Sequence, residues 1–191
     1  MKRVKLKEVA TITLTPIINS TEEMGELKML KPSAVDNGVI NEEKLQWAVN
    51  DKKKDINGFF LKKDDLVFQA KGNKFEAVYI DKEYDKLISN QIYFNVIPNR
   101  ESVNTEYLAW IMNNKESKKY FDINSSGATI KSVNKKVLED LQIMLPSLKE
   151  QEQIVELLNA FKTEKENTIK YIDTKERLVE EIIYQRLRGE V

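Results

Sequence analysis

The sequence predicts an α+β protein: a mixed, β-rich domain over residues 1–146 followed by one long helix over residues 147–191. Three observations carry this reading. Short β-branched and aromatic runs fill the first hundred residues, separated by Asn-Gly and Gly-Asn pairs that tolerate positive φ. Pro146 and Ser147 then punctuate the chain sharply. Beyond them apolar residues recur mainly at steps of three and four, with no Gly or Pro until Gly189.

Residues 5–12 suit a short helix or turn that packs Leu6 and Val9. Residues 26–30 and 35–45 read as strands around Asn37-Gly38, a hairpin signal. Asn57-Gly58 and Gly72-Asn73 are two further such pairs, the second separating β-rich residues 66–70 from 75–80. Residues 92–97 form another strand, ended by Pro98, after which Thr105 caps a helix with Tyr107, Leu108, Ile111 and Met112 on one face. Asn134 caps a short helix holding Val137, Leu138 and Leu141. Residues 142–145 form a last strand, stopped by Pro146 because proline cannot donate to a ladder.

Ser147 stands three residues before Glu150, the spacing of a reciprocal cap in which hydroxyl and carboxylate each satisfy the other's backbone N–H. The helix that starts here carries Ile154, Leu158, Phe161, Ile169, Ile172, Val179, Ile182 and Ile183. Arg186 and Arg188 suit its negative end and Gly189 closes it. About 40 residues make a rod of ~60 Å at 1.5 Å per residue. A domain of some 145 residues is only ~35 Å across. The apolar stripe, broken at Lys165 and Thr168, therefore calls for a partner helix, and an intermolecular coiled coil is expected through Ile154, Leu158, Phe161, Ile172, Val179 and Ile182.

Apolar residues make up 41% of the chain, which indicates an ordered protein. The formal charge is zero, so nucleic-acid binding must come from local clusters. There is no cysteine and no histidine. That removes disulfides, zinc sites built on those residues, thiol nucleophiles and the commonest general base. No catalytic residue, metal site or cofactor is expected. No stretch approaches the roughly 18 apolar residues of a membrane span, and the N-terminus has no apolar signal region, so a cytoplasmic protein without membrane contact is expected.

Two clusters have the chemistry of nucleic-acid contacts. Lys71-Gly72-Asn73-Lys74 places a small residue, two cations and an amide on a turn, although an ordinary solvated hairpin tip has the same composition. The run 125–132, Ser-Ser-Gly-Ala-Thr-Ile-Lys-Ser, offers hydroxyls, backbone N–H groups and one cation, and equally suits a plain connection. Lys52-Lys53-Lys54 is a less specific charge run. Gln46-Trp47 and Trp110 suggest base-stacking platforms, but Trp110 falls in a helix and is expected in the core. Glu42-Glu43-Lys44 and Glu116-Ser117-Lys118 each form the Glu-x-Lys triplet of metal-dependent nucleases, a pattern that chance supplies when 32% of residues are charged.

An ordered series of short segments resembles the specificity subunit of type I restriction-modification systems, one half of it. The series is Val4-Lys5-Leu6-Lys7-Glu8-Val9-Ala10; Leu30-Lys31-Pro32-Ser33 leading to Asp36-Asn37-Gly38; Asp65-Leu66-Val67-Phe68 with Gly72-Asn73-Lys74; and Tyr107-Leu108 with Ile111. The most specific stretch is Ser126-Gly127-Ala128-Thr129-Ile130, then Leu141-Gln142-Ile143, Leu145-Pro146, Glu150-Gln151 and Ile154. Only one glycine of the family's two-glycine turn is present, and a second recognition domain and helix are absent.

The resemblance implies a non-catalytic target recognition domain plus a conserved spacing helix. It implies as partners double-stranded DNA, a second copy of the chain, a modification subunit that methylates adenine and, through it, a restriction subunit. Asn37, Gln69, Asn73 and Lys74 would read bases. Lys31, Lys71, Ser126, Thr129 and Lys131 would hold phosphate, with Ser33, Gly72 and Gly127 completing the DNA-binding set. The competing reading is a dimeric protein-interaction adaptor with a coiled-coil tail and no DNA role; a third is a silent cassette of a longer specificity gene.

Overall fold

A computed structural model describes residues 2–36, 38–51 and 53–189. Its strands are β1 (Lys2–Lys5), β2 (Ala10–Leu14), β3 (Asn19–Thr21), β4 (Leu27–Leu30), β5 (Val35–Asp36), β6 (Val39–Ile40), β7 (Gln46–Val49), β8 (Leu66–Gln69), β9 (Glu76–Tyr79), β10 (Leu87–Ser89), β11 (Tyr93–Pro98) and β12 (Gln142–Leu145). Its helices are α1 (Thr105–Asn113), α2 (Lys115–Asn124), α3 (Lys135–Glu139) and α4 (Leu148–Arg188). The chain divides into two units, Met1–Gln151 and Glu152–Val191. This is the α+β architecture that the sequence predicts, β-rich with a long C-terminal helix.

In the first unit β2-β11-β8-β9 form an antiparallel sheet, and β10-β4-β7-β3 form a second sheet whose β10–β4 pair is parallel. Leu30 and Leu87 of the second sheet pack with Val67, Val78 and Tyr93 of the first in one buried cluster. On the second sheet, Leu27, Met29, Ala48 and Ile88 gather Ile18 and Ile56 into another cluster. A buried polar link also joins the sheets: the Ser89 hydroxyl donates to Asn95 Oδ1 at 2.6 Å and lies 2.7 Å from the Thr15 hydroxyl. Each fully buried apolar side chain contributes roughly 1.5–3 kcal/mol, so these clusters dominate the unit's stability.

Gly72-Asn73 joins antiparallel β8 and β9, as expected of such a pair. The pair β5–β6 brackets Gly38 at φ 77°, while Asn37 lies outside the described residues. Asn57-Gly58 differs from expectation. It opens a 3-10 turn, Asn57–Phe59, and no hairpin forms there. Leu6 and Val9 are buried around a 3-10 turn at Leu6–Glu8, between two strands. Pro98 is the last residue of β11, paired with Ala10, instead of standing beyond it.

The cap of α1 is Asn104, whose carboxamide oxygen accepts from the Tyr107 N–H at 3.0 Å; Thr105, assigned that role from sequence, is the first helical residue. Asparagine caps as well as threonine does, and one position decides the start. Asn113, at the other end of α1, exchanges two 2.8 Å hydrogen bonds with the backbone of Ala77, which satisfies the open edge of β9. Asn114 caps α2, whose Phe121 is wholly buried with its ring 4.6 Å from that of Phe68. Trp110 is a correction: it is 42% exposed, tilted against Tyr107, and outside the core.

The two ends of the first unit are tied together. β1 runs antiparallel to β12, and Lys5 Nζ lies 2.8 Å from Asp140 Oδ1. At the start of α4 the reciprocal cap is present, with the Ser147 N–H donating to Glu150 at 2.9 Å and the Glu150 N–H to the Ser147 hydroxyl at 3.4 Å. Gln151, in the same turn, is fully buried. Its Oε1 accepts from the Asn104 N–H at 2.8 Å, and its Nε2 donates to the carbonyls of Pro146 at 2.9 Å and Ser102 at 3.2 Å.

In the second unit every residue described from 159 to 184 is exposed; Phe161 stands at 65%, and Ile172, Val179 and Ile182 at about half. Ile154 and Leu158 are partly buried. Among the described residues no helix is long and apolar enough to cross a membrane.

Gln151→Met conserves volume but strands one N–H and two carbonyls, so it is expected to destabilise the protein by about 2–4 kcal/mol, read from urea unfolding. A second expectation concerns acid. The Ser147 hydroxyl, then its N–H, hold the Glu150 carboxyl below its ordinary value, and Lys5 does the same to Asp140. Depressed carboxyls contribute stability that is complete above their unfolded values and lost as pH falls through the folded ones. Melting temperature should therefore drop on the acid side of the carboxylate range, and Glu150→Gln should shallow that drop by lowering the melting temperature at pH 7 while leaving it nearly unchanged in acid.

Candidate nucleic-acid interface

The two loops singled out in the sequence meet. β8 ends at Gln69, and the chain turns through Lys71 to Lys74 before β9 begins. The run 125–132 follows α2. Lys71 pairs with Ser132, the Gly72 N–H donates to the Lys131 carbonyl at 3.0 Å, and the Val133 N–H donates to the Ala70 carbonyl at 2.8 Å. Segments about 60 residues apart are thus zipped into one ridge.

The second loop is itself closed. Ser126 and Ser132 exchange backbone hydrogen bonds of 2.9 and 2.7 Å, which leaves residues 127–131 as an exposed tip. Gly127 adopts φ 109°, and a Cβ there would sit 2.1 Å from the Ile130 carbonyl oxygen, so only glycine fits. Gly72 adopts φ 112°. Lys71, Asn73, Lys74, Ser126, Thr129 and Lys131 are all exposed on this ridge.

Gln69 is placed differently from its expected role. It is 9% exposed, and its Nε2 donates to the Lys71 carbonyl at 3.1 Å, which makes it a brace for the turn. Lys31 and Ser33 belong to another neighbourhood: Lys31 precedes the 3-10 turn Pro32–Ala34 and donates to Ser20 of β3 at 2.9 Å and to Gln46 of β7. Ser33 is exposed on that turn. Trp47 is half-buried, its ring centroid 5.8 Å from Lys28 Nζ.

A groove beside the ridge is lined by Asn73, Lys74, Phe75, Glu76, Lys118 and Asp122. Lys118, Asp122 and Glu76 were not singled out in the sequence as DNA contacts. Lys118 and Asp122 share a helical face at i, i+4, a signal that needed α2 to be recognised as a helix. Asp122 lies 3.6 Å from Lys131, so part of the ridge's positive charge is balanced locally. Neither Glu-x-Lys triplet lies on a strand: Glu116 is in α2, and Glu42 sits in a 3-10 turn paired with Lys82. Of the 52–54 run, Lys54 is occupied, donating to the Ile17 carbonyl at 2.6 Å.

The α+β unit thus carries an exposed, glycine-shaped, lysine-bearing ridge and is followed by a long helix. The type I restriction modification DNA specificity domain family matches residues 1–173, and the chain belongs to that family. It is 29% identical over 104 residues to the type I restriction enzyme MjaIX specificity subunit of Methanocaldococcus jannaschii, covering 54% of this chain and 24% of that protein. The fold is similar to the type I restriction-modification S subunit of M. genitalium, with TM-score 0.60 and 16% identity over 96% of this chain and 45% of that one. It is similar also to the HsdS subunit of Thermoanaerobacter tengcongensis, with TM-score 0.60 and 15% identity over 87% and 43%. The chain thus spans a quarter to just under half the length of these relatives.

Gly127→Ala is expected to cost about 1–3 kcal/mol through forced rearrangement of the tip. Hydrogen exchange should show the Ser132 amide losing protection while the amides of β8 keep theirs.

Proposed function

We propose that this chain is the DNA-reading component of a type I restriction-modification complex. It works in the cytoplasm, without catalysis of its own, beside a modification subunit that methylates adenine and, through it, a restriction subunit. Residues 1–146 form the recognition domain and residues 147–191 the spacing and dimerisation helix. The observation that carries the reading is the ridge: two distant loops brought together with cations, an amide and hydroxyls facing solvent, in a chain of the specificity family. Phosphate contacts position such a module and side chains at base edges give it sequence.

The exposed stripe through Phe161, Ile172, Val179 and Ile182, with Ile154 and Leu158 at its start, supports antiparallel pairing of two copies. A two-fold axis then relates two recognition domains, and symmetry dictates a palindromic target in two parts. A rod of ~60 Å spaces the half-sites by a turn of DNA or somewhat more. Zero net charge and the same stripe also suit a dimeric adaptor that binds protein.

Sequencing methylated bases in cells that carry this chain with a modification subunit should reveal a bipartite palindrome; methylation without any such motif would contradict the reading and favour the adaptor. Lys71→Ala should weaken binding to all DNA sequences and flatten the salt dependence, whereas Asn73→Ala or Lys74→Ala should cost about 1–3 kcal/mol at one base position. Ile172→Asp with Val179→Asp should convert a dimer into a monomer in sedimentation; a parent chain already monomeric at micromolar concentration would remove the symmetric model.

A further inference from the structure

We propose that a second groove, at the strand ends of the β10-β4-β7-β3 sheet, reads a guanine–cytosine pair from the major groove, an inference that rests on the DNA-reading function proposed above. Ser20, Glu22, Lys31, Gln46 and Trp47 line this groove, together with Thr21 and Leu45. They come from the ends of β3 and β4 and the start of β7, neighbouring strands of that sheet.

The chemistry follows from one hydrogen bond. Lys31 Nζ donates to Gln46 Oε1 and to the Ser20 hydroxyl. An ammonium has donors only, so the amide atom facing it is the oxygen, and the orientation of Gln46 is thereby fixed. Its –NH2 points away from Lys31. A free glutamine pairs with adenine by offering one donor and one acceptor, at N7 and N6. With its oxygen engaged by the lysine, Gln46 turns its –NH2 outward as a donor, and the lysine, two of whose three N–H groups go to Gln46 and Ser20, has one donor left beside it.

A donor pair complements two acceptors side by side, which in the major groove are O6 and N7 of guanine. Glu22, exposed on the same groove, supplies the complementary acceptor. Cytosine presents its N4 amino group next to guanine O6, and a carboxylate accepts from it. The carboxylate also argues against the backbone as ligand, because it repels phosphate. Two donor groups and one acceptor therefore mirror the acceptor, acceptor, donor edge of one G·C pair. The Lys31–Gln46–Ser20 bonds hold these donors in place before DNA arrives, which reduces the ordering cost of binding.

The test is selection from a randomised duplex pool by the full chain together with a modification subunit. One position of the parent consensus should be a G·C pair relaxed by Lys31→Met and by Gln46→Met, each by roughly 5–150-fold, the range of a good two-donor base contact. Glu22→Gln should relax the same position. Replacing that guanine by 7-deazaguanine should weaken the parent complex and leave the complex of the Lys31→Met, Gln46→Met double variant unchanged. These side chains are solvent-facing, so the variants should melt with the parent chain.

The inference is overturned if the variants keep full discrimination, if the relaxed position is an A·T pair, or if all sequences weaken alike as for a phosphate contact. In each of those outcomes the parent consensus stands and the DNA-reading function survives. A parent chain that selects no consensus at all removes that function and this inference together.

Discussion

The turn from Pro146 to Gln151 is the constraint on which the rest depends. Gln151 is a polar side chain with no exposed surface, and burial of an amide is tolerated only when its hydrogen bonds are met. Here they are met by the N–H that begins α1 and by two carbonyls, those of Ser102 and Pro146. One side chain thus fixes three things at once: where β12 stops, where the loop before α1 lies, and where α4 begins. The Ser147–Glu150 cap starts the same helix from its exposed side, so polar satisfaction inside and capping outside agree on a single start.

Much of this was legible in the sequence because the signals were local. Ser147 and Glu150 are three residues apart, and Gly72-Asn73 lies between two runs of β-formers, so each could be recognised without knowing the fold. Asn104 and Thr105 show the resolution of such reasoning: both are good caps, and the choice between them depends on the Gln151 oxygen that occupies the Asn104 N–H. Asn57-Gly58 carries the same signal as Gly72-Asn73, but the run after it closes on β10 through a Phe60–Ile88 bridge, and no sequential partner strand is available. Trp110 was misplaced for a different reason. Tyr107, Leu108, Ile111 and Met112 already fill the buried face of α1, and position 110 falls outside that arc.

The candidate interface was legible as two loops and illegible as one ridge. Composition identified Lys71–Lys74 and 125–132, but the hydrogen bonds that zip them span about 60 residues. Gln69 was named through the family resemblance, which carries no burial information: all four residues of β8 are buried, as in a central strand covered on both faces. Lys118 and Asp122 were hidden by the polar composition of α2, which buries only Ser117 and Phe121.

Charge connects these observations to the proposed mode of action. Thirty-one basic and thirty-one acidic residues leave no net positive charge to draw DNA in. On the ridge itself Lys131 faces Asp122, and Glu76 shares the groove with Lys74 and Lys118. Exposed pairs of this kind contribute little to stability. Their effect on binding is larger, since a phosphate must compete with a carboxylate already in place. On the proposed reading a module built this way binds DNA weakly by itself, and the modification subunit supplies affinity by closing around the duplex from the other side.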